Sequence, residues 1–422
     1  MTTQKIFEAY YDIINQELLV ALGCTEPIAI AYAGAKARQT LGCLPTSVTV
    51  FGSGNIIKNT KSVVVPNTNG QKGIDTAVSA GVLFGNPDKK LQVLSDVTNE
   101  QKPQIAQFAK SGCVKVLPAK TDKVFYIEVI ATNGNDTAKV VIEDSHTNLT
   151  LIEKNGKILL QNQSSTQQTT DKSNLYDLLT VKDIVNFADS ADLTPIKNAL
   201  ENQIKLNSAI SEEGLKGNWG ANIGKILATS NDVDMQAIAS AAAGSDARMS
   251  GCELPVVIVS GSGNQGMTAS LPVITYAKHK NASHDLLLRA LAVSNLVTIH
   301  QKRGIGKLSA YCGAVSAGVG CACGIAYLNG GGFDAIAHTA VNAVAISSGI
   351  ICDGAKPSCA AKIATSIFSG LLGYKMYLSG QEFVSGEGLV TKGVDNTIAN
   401  FGRLAKEGMR ETDKEIIKMM TE

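Results

Sequence analysis

The chain has 422 residues, and 38 Lys and Arg against 37 Asp and Glu leave a formal charge of +1, which excludes a surface built to hold nucleic acid through its phosphates. Hydrophobic residues make up 44%, enough for a sizeable core at a length that fits roughly two to three domains, so disorder is excluded as the main state. Aromatics are only 5% while Gly numbers 40, so the interior has to be filled by small and aliphatic side chains on closely approaching helices.

The first residues, Met1 to Glu8, lack the basic start and unbroken apolar run of a secretory signal. Ile6, Tyr10, Ile13, Ile14, Leu18 and Leu19 recur at helical spacing, which predicts a helix over 5–22 interrupted by Gly23. Pro27 then starts an Ala-rich helix from Ile28 to about Leu41, closed at Gly42, leaving Cys24 and Thr25 in a tight joint at a helix N-terminus. From Ser47 the texture turns β-branched. Val48–Phe51, Val63–Val65, Phe125–Ile130, Ala138–Ile142 and Leu149–Ile152 read as strands around a helix that includes Thr76–Leu83. The Gln, Ser and Thr run from Gln161 to Thr170 reads as an exit linker.

From about Asn174 onward, amphipathic helices alternate with Gly-rich joints, with Val256–Val259 as one short strand. Small-residue helices at 287–299, 308–328 and 335–350 are expected at the centre of this part. Leu308 to Phe333 carries no charge, and after Asp334 a second uncharged run reaches Cys352. These runs are Gly, Ala, Ser and Cys rather than Leu, Ile and Phe, so their transfer into lipid is weak and they read as buried helices of a soluble domain. The expected fold class is α+β. A mostly helical catalytic domain is formed by the N-terminal helices (1–44) and the C-terminal half (172–422), and a smaller α+β domain is inserted at 45–171.

Nine cysteines, an odd number in a long chain, argue against a disulfide framework and fit a reducing cytosol. Cys312 sits in a Gly/Ala-rich run, and Cys352-Asp353-Gly354 opens a Gly- and Pro-containing stretch that reaches Cys359. There is no Cys-x-x-Cys pair, and by spacing alone these thiols read as core packing more readily than as metal ligands. Irregular backbone between Cys352 and Cys359 would let two sulfurs converge. Cys24 is either a small filler of its joint or a reactive thiol, since the N–H groups and positive end of the following helix favour thiolate. Cys321 and Cys323 share the predicted helix of Cys312 on other turns or faces. Cys43, Cys113 and Cys252 are isolated, and all five are expected to be packing residues.

Gly23-Cys24-Thr25-Glu26-Pro27, the Gly/Ala-rich helix at Cys312, and Cys352-Asp353-Gly354 with Cys359 together resemble the L-cysteine desulfidases, relatives of the catalytic subunit of the iron–sulfur-dependent L-serine dehydratases. The resemblance spans nearly the whole chain. It implies a [4Fe-4S] cluster held by Cys312, Cys352 and Cys359 with one iron left open, and Cys24 as the residue that abstracts the Cα proton. Ser260–Gly266 with Pro272 is loosely similar to the dehydratases' Thr-Asn-Gly-Ala-Ala-Gly loop, with Gln265 intruding and the threonine missing.

Two loops, Phe51–Asn55 and Gly261–Gly266, can present N–H groups to a carboxylate, although both also read as ordinary turns. Neither has the spacing of a nucleotide-binding loop. His300, Lys302, Arg303 and Lys307 precede Cys312 and could neutralise thiolates or hold a carboxylate. Lys302 reads as a solvated helix end. For Arg303 and Lys307 both readings stand, because Gly304 and Gly306 mark a close-approach loop. His146, His279, His284 and His338 show no metal-ligand spacing and receive no role.

The expected protein is an oxygen-sensitive cytoplasmic lyase that converts L-cysteine to hydrogen sulfide, ammonia and pyruvate without pyridoxal phosphate. Cys24 is its catalytic residue, Cys312, Cys352 and Cys359 are its metal ligands, and Asn55, Asn264, Gln265, Arg303 and Lys307 are its substrate-binding residues. The alternatives are an L-serine dehydratase with the same mechanism and a non-catalytic iron–sulfur or thiol redox sensor. The expected partner is a small amino-acid substrate, with no nucleic acid and no membrane. A homo-oligomer is compatible with the sequence.

Overall fold

Helix α1 (Thr3–Glu17) ends earlier than its apolar periodicity predicts, because Val20–Leu22 leaves the helix to form strand β1. Cross-strand pairing with residues far along the chain overrides a local pattern here. Helix α2 (Thr25–Leu41) also begins before the predicted Pro27. Pro27 sits in the first turn, where its missing N–H would have had no helical partner, so Cys24 becomes the N-cap. The computed structural model describes residues 2–162 and 172–422. Residues 163–170 of the expected exit linker lie outside the described residues.

Strand β2 (Ser47–Gly52) and helices α3 (Gly54–Thr60), α4 (Ile74–Phe84) and α5 (Lys102–Lys110) lead into β3 (Val114–Pro118). Strands β4 (Tyr126–Asn133), β5 (Asp136–Glu143), β6 (Leu149–Lys154) and β7 (Lys157–Gln161) complete a six-stranded sheet in the order β3-β2-β4-β5-β6-β7. Only the β2–β3 pair is parallel. Val48 and Val50 of β2, Ile127 and Val129 of β4, and Val140 and Ile142 of β5 are buried at alternate positions. The sheet therefore has one apolar face, and α2 packs across β4, β5 and β6. Val63–Val65 is buried but makes only the single bridge Val64–Lys72. Its β-branched run reflects burial in an irregular segment and not the predicted strand. Strands β3 and β7 were not expected, being short edges with one buried face at most.

The second half is helical: α6 (Lys172–Asp177), α7 (Val181–Ser190), α8 (Lys197–Lys216), α9 (Ile223–Leu227) and α10 (Val233–Met249). Strand β8 (Pro255–Val257) then pairs antiparallel with β1, Val20 opposite Val257. Helices α11 (Gly263–His279), α12 (His284–Ile305), α13 (Gly313–Leu328), α14 (Phe333–Ser347), α15 (Cys359–Leu378), α16 (Val394–Arg403) and α17 (Arg410–Thr421) follow.

Helix α13 is central, packed by α11, α12, α14 and α15. A Cβ on Gly320 would lie 2.1 Å from Thr298 Oγ1 and 2.5 Å from the Ser294 carbonyl oxygen, so the contact of α12 with α13 depends on the absent side chain. Residues 308–312, predicted helical, are an extended approach to α13, and Cys312 is its N-cap instead of lying in one helix with Cys321 and Cys323. The protein is thus a mostly helical α+β fold. Among the described residues no helix is long and apolar enough to cross a membrane.

Candidate active site

Cys312 and Cys352 are brought together by a minimal antiparallel ribbon. Tyr311 bridges Ile351, the Cys312 amide donates to the Ile350 carbonyl at 3.0 Å, and the Cys352 amide donates to the Ala310 carbonyl at 2.6 Å. Side chains alternate along a strand, so with Tyr311 and Ile351 on one face, both cysteines fall on the other. Cys359 opens α15, and the stretch leading to it is cross-braced by the Asp353 carboxylate, which pairs with Lys356 and Lys362. All three cysteines line one cavity of about 100 Å³. None of the nine cysteines is in a disulfide.

Burial pushes the Cys312 thiol up, and the neighbouring Cys352 adds to that; burial also raises Cys359. Cys312 and Cys359, buried beside Cys352, hold their protons until a strong positive centre offsets burial and repulsion, which is the donor chemistry of a thiolate-bound metal centre. Among the described residues no three His, Cys, Asp or Glu converge tightly enough to share a single ion. A cluster makes a different demand, since each cysteine binds its own iron.

Cys24 lines the same cavity and its Sγ donates to Glu26 Oε2 at 3.2 Å. The expectation that the helix start favours a thiolate is overturned: burial pushes the Cys24 thiol well above its usual range, and the Glu26 carboxylate pushes it further than Arg248 pulls it back. Two full local effects outweigh the partial charge of a helix end. Glu26 itself is a carboxylate. Burial would raise it, but His146, together with the Cys24 and backbone hydrogen bonds, holds it at about 2.

Asn264, Gln265 and Lys307 also border the cavity. The Asn264 side chain is committed to Arg248, whose Nη1 donates to its Oδ1 at 3.1 Å while Nε donates to the Gly23 carbonyl at 3.0 Å. Gln265 presents a buried Oε1 with no partner, in a place opened by Gly313, whose Cβ would sit 2.7 Å from the Gln265 amide carbon. Lys307 is exposed and stands at the rim. Asn55 and Arg303 do not border the cavity. Asn55 donates to Asp413 at 2.7 Å, beside a 2.6 Å ion pair of buried Lys58 with the same carboxylate, and so ties α3 to α17. Arg303 is exposed, paired with Asp177 and donating to the Tyr176 carbonyl at 2.9 Å.

Several residues at the cavity were missed by sequence reasoning. Lys302, read as a solvated helix end, is only 5% exposed and points into the cavity, while its neighbour Arg303 takes the solvent. Burial lowers its ammonium to about 8 against the pull of Cys352, Cys312 and Glu26. Helical spacing held the signal: Asn295, Thr298 and Lys302 recur on one buried face of α12. Asn59, one turn beyond Asn55, presents a buried unpartnered Oδ1. His146 arrives from the β5–β6 connection with an unpartnered buried Nε2, and nothing in its sequence neighbourhood marks it. Three buried polar atoms without partners thus face one cavity, where they are available to a polar ligand.

The comparisons give the class of protein, a serine-dehydratase-like lyase. The family model described as serine dehydratase alpha chain matches residues 88–418. A UPF0597 protein of Desulfitobacterium hafniense is 52% identical over 421 residues, covering 99% of this chain and 97% of that protein. UPF0597 proteins of Finegoldia magna and Lachnoclostridium phytofermentans are 46% and 45% identical, each over 98% of this chain and 99% and 100% of their own lengths. The chain belongs to the serine dehydratase alpha chain family, alongside the relatives named UPF0597.

Proposed function

We propose that the protein is a cytoplasmic iron–sulfur lyase that removes the β-thiol of L-cysteine, giving hydrogen sulfide, ammonia and pyruvate with the uptake of one water. The observation that carries this reading is the convergence of Cys312, Cys352 and Cys359 with Cys24 on one small cavity. Those three cysteines would hold a [4Fe-4S] cluster, which when bound supplies an open iron position able to act as a Lewis acid toward the departing group. The chain's own residues do the rest. Lys302 holds the substrate carboxylate, with Lys307 at the entrance, and the free amide oxygens of Asn59 and Gln265 accept from the α-ammonium. Cys24 takes the Cα proton. The enamine left by elimination tautomerises to an imine and hydrolyses.

The family match favours L-serine as a second reading, with water leaving in place of sulfide. Anaerobic assays of pyruvate and sulfide decide between them. Sulfide released from L-cysteine, with at least about tenfold higher kcat/KM than for L-serine, supports the first reading. Pyruvate from L-serine alone supports the second. An iron-loaded protein that turns over neither is a sensor.

Replacing Lys302 with Met should raise KM on the order of a hundredfold, since a buried charge-assisted pair is worth about 3 kcal/mol. Arg303→Ala should change kcat/KM by less than about twofold, because its partner is a surface carboxylate. Steady-state kinetics of the two variants side by side check this assignment.

A further inference from the structure

The Cys24 thiol cannot act as a base while it carries its own proton, and that proton has one place to go. Cys24 Sγ donates to Glu26 Oε2 at 3.2 Å, and the other carboxylate oxygen accepts from Asn59 Nδ2 at 3.2 Å. His146 Nε2 stands 3.9 Å from Glu26 Oε1, beyond hydrogen-bond reach, and has no hydrogen-bond partner among the described residues. The His146 ring is itself seated edge-on against Phe125, with centroids 4.9 Å apart. The sheet thus supports a residue of the helical half's cavity.

We infer that Glu26 is the proton acceptor for Cys24, and that His146 is the positioning residue that keeps Glu26 an anion, so that Cys24, Glu26 and His146 form a relay. The inference rests on the proposed role of Cys24 as the group that takes the Cα proton. Deprotonation of Cys24 to solvent would leave two anions in a buried space. Transfer to Glu26 leaves one, moved from oxygen to sulfur; with the thiol raised and the carboxylate held low it is uphill in the resting site and runs forward only as the Cα proton is taken.

The protons and electrons balance. The S–H bond of Cys24 breaks as an O–H bond forms on Glu26. The Cα–H bond breaks reversibly as the S–H bond re-forms, leaving its electron pair at Cα, and that pair becomes the C=C bond when the substrate's Cβ–S bond breaks in the following step. The departing sulfide then takes the proton from Glu26, and the resting state returns with no change of oxidation level. The groups around Glu26 are Cys24 and Thr25 on its own turn, Asn59 on α3, His146 from the sheet and Lys302 across the cavity, while Arg248 acts on Cys24.

The test uses the full chain, reconstituted anaerobically, with E26Q, E26D, H146Q and C24S compared by iron content and by deuterium uptake at the substrate Cα in heavy water. E26Q can still accept the Cys24 hydrogen bond but not its proton. It should keep its iron and lose exchange and elimination by at least about a hundredfold. E26D should recover part of the rate. H146Q should exchange at high pH, but its acid limb should move upward, because without His146 beside it Glu26 protonates at a higher pH.

Exchange by E26Q within threefold of the parent rate, roughly the scatter of such measurements, while C24S does not exchange, overturns the relay and leaves Cys24 in its role. Normal exchange by both variants overturns the underlying reading as well. If E26Q fails to fold, E26D and H146Q decide: rate profiles that coincide with the parent's overturn the inference.

Discussion

Cys312→Ser, Cys352→Ser and Cys359→Ser, made one at a time, should each purify anaerobically with less than about a tenth of the parent iron and no measurable turnover. A serine hydroxyl is far less acidic than a thiol and is a harder donor, so it does not replace a soft thiolate ligand. Each position is also without a substitute. Cys312 caps α13, Cys352 lies diagonally across the ribbon from it, and Cys359 begins α15, while Cys24, the other thiol that lines this cavity, is engaged with Glu26. Cys321 and Cys323 are spent inside α13, with their sulfurs directed to the carbonyls of Gly318 at 3.1 Å and Ile336 at 3.6 Å. Exposed Cys43 supplies the control, and Cys43→Ser should keep full iron and rate. Iron analysis with an absorbance scan checks all four, and one ligand variant that retains its iron removes that residue from the cluster.

Cys24→Ser should keep the iron and the fold but lose deuterium exchange at Cα and product formation together, by about 100- to 10,000-fold. The serine hydroxyl can make the same hydrogen bond to Glu26, so the buried network survives. What changes is the ability to give up the proton, because a hydroxyl resists ionisation far more than even a buried thiol. Measured exchange at the parent rate with blocked elimination would move the proton-removal role away from Cys24. Loss of iron would show instead that Cys24 belongs to the metal site.

The pairing of Lys302 with Arg303 shows where one sequence stops being informative. Both are cations in a Gly-rich joint, and composition gives no reason to choose between them. The choice follows from helical phase: a 100° step turns Arg303 to Asp177 at the surface while Lys302 stays on the buried face with Asn295 and Thr298. Asn55 and Asn59 repeat the lesson one turn apart, with α17 claiming the first and the cavity the second. Glu26 lay within a quoted motif, yet a carboxylate in a helix's first turn reads as ordinary dipole compensation until its neighbours are known.

By itself, the sequence determined that this is a mostly helical α+β protein, because periodicity and local residue chemistry are properties of short stretches; the grouping of Cys24, Cys312, Cys352 and Cys359 came from a family resemblance, since spacing alone left their roles open. Tertiary structure alone decided that the Cys24 thiol is protonated, that Lys302 faces inward, and that a histidine carried by the sheet completes the cavity. Charge state and encounter depend on burial and on partners more than a hundred residues away. Those are summed over space, and a linear pattern does not carry them.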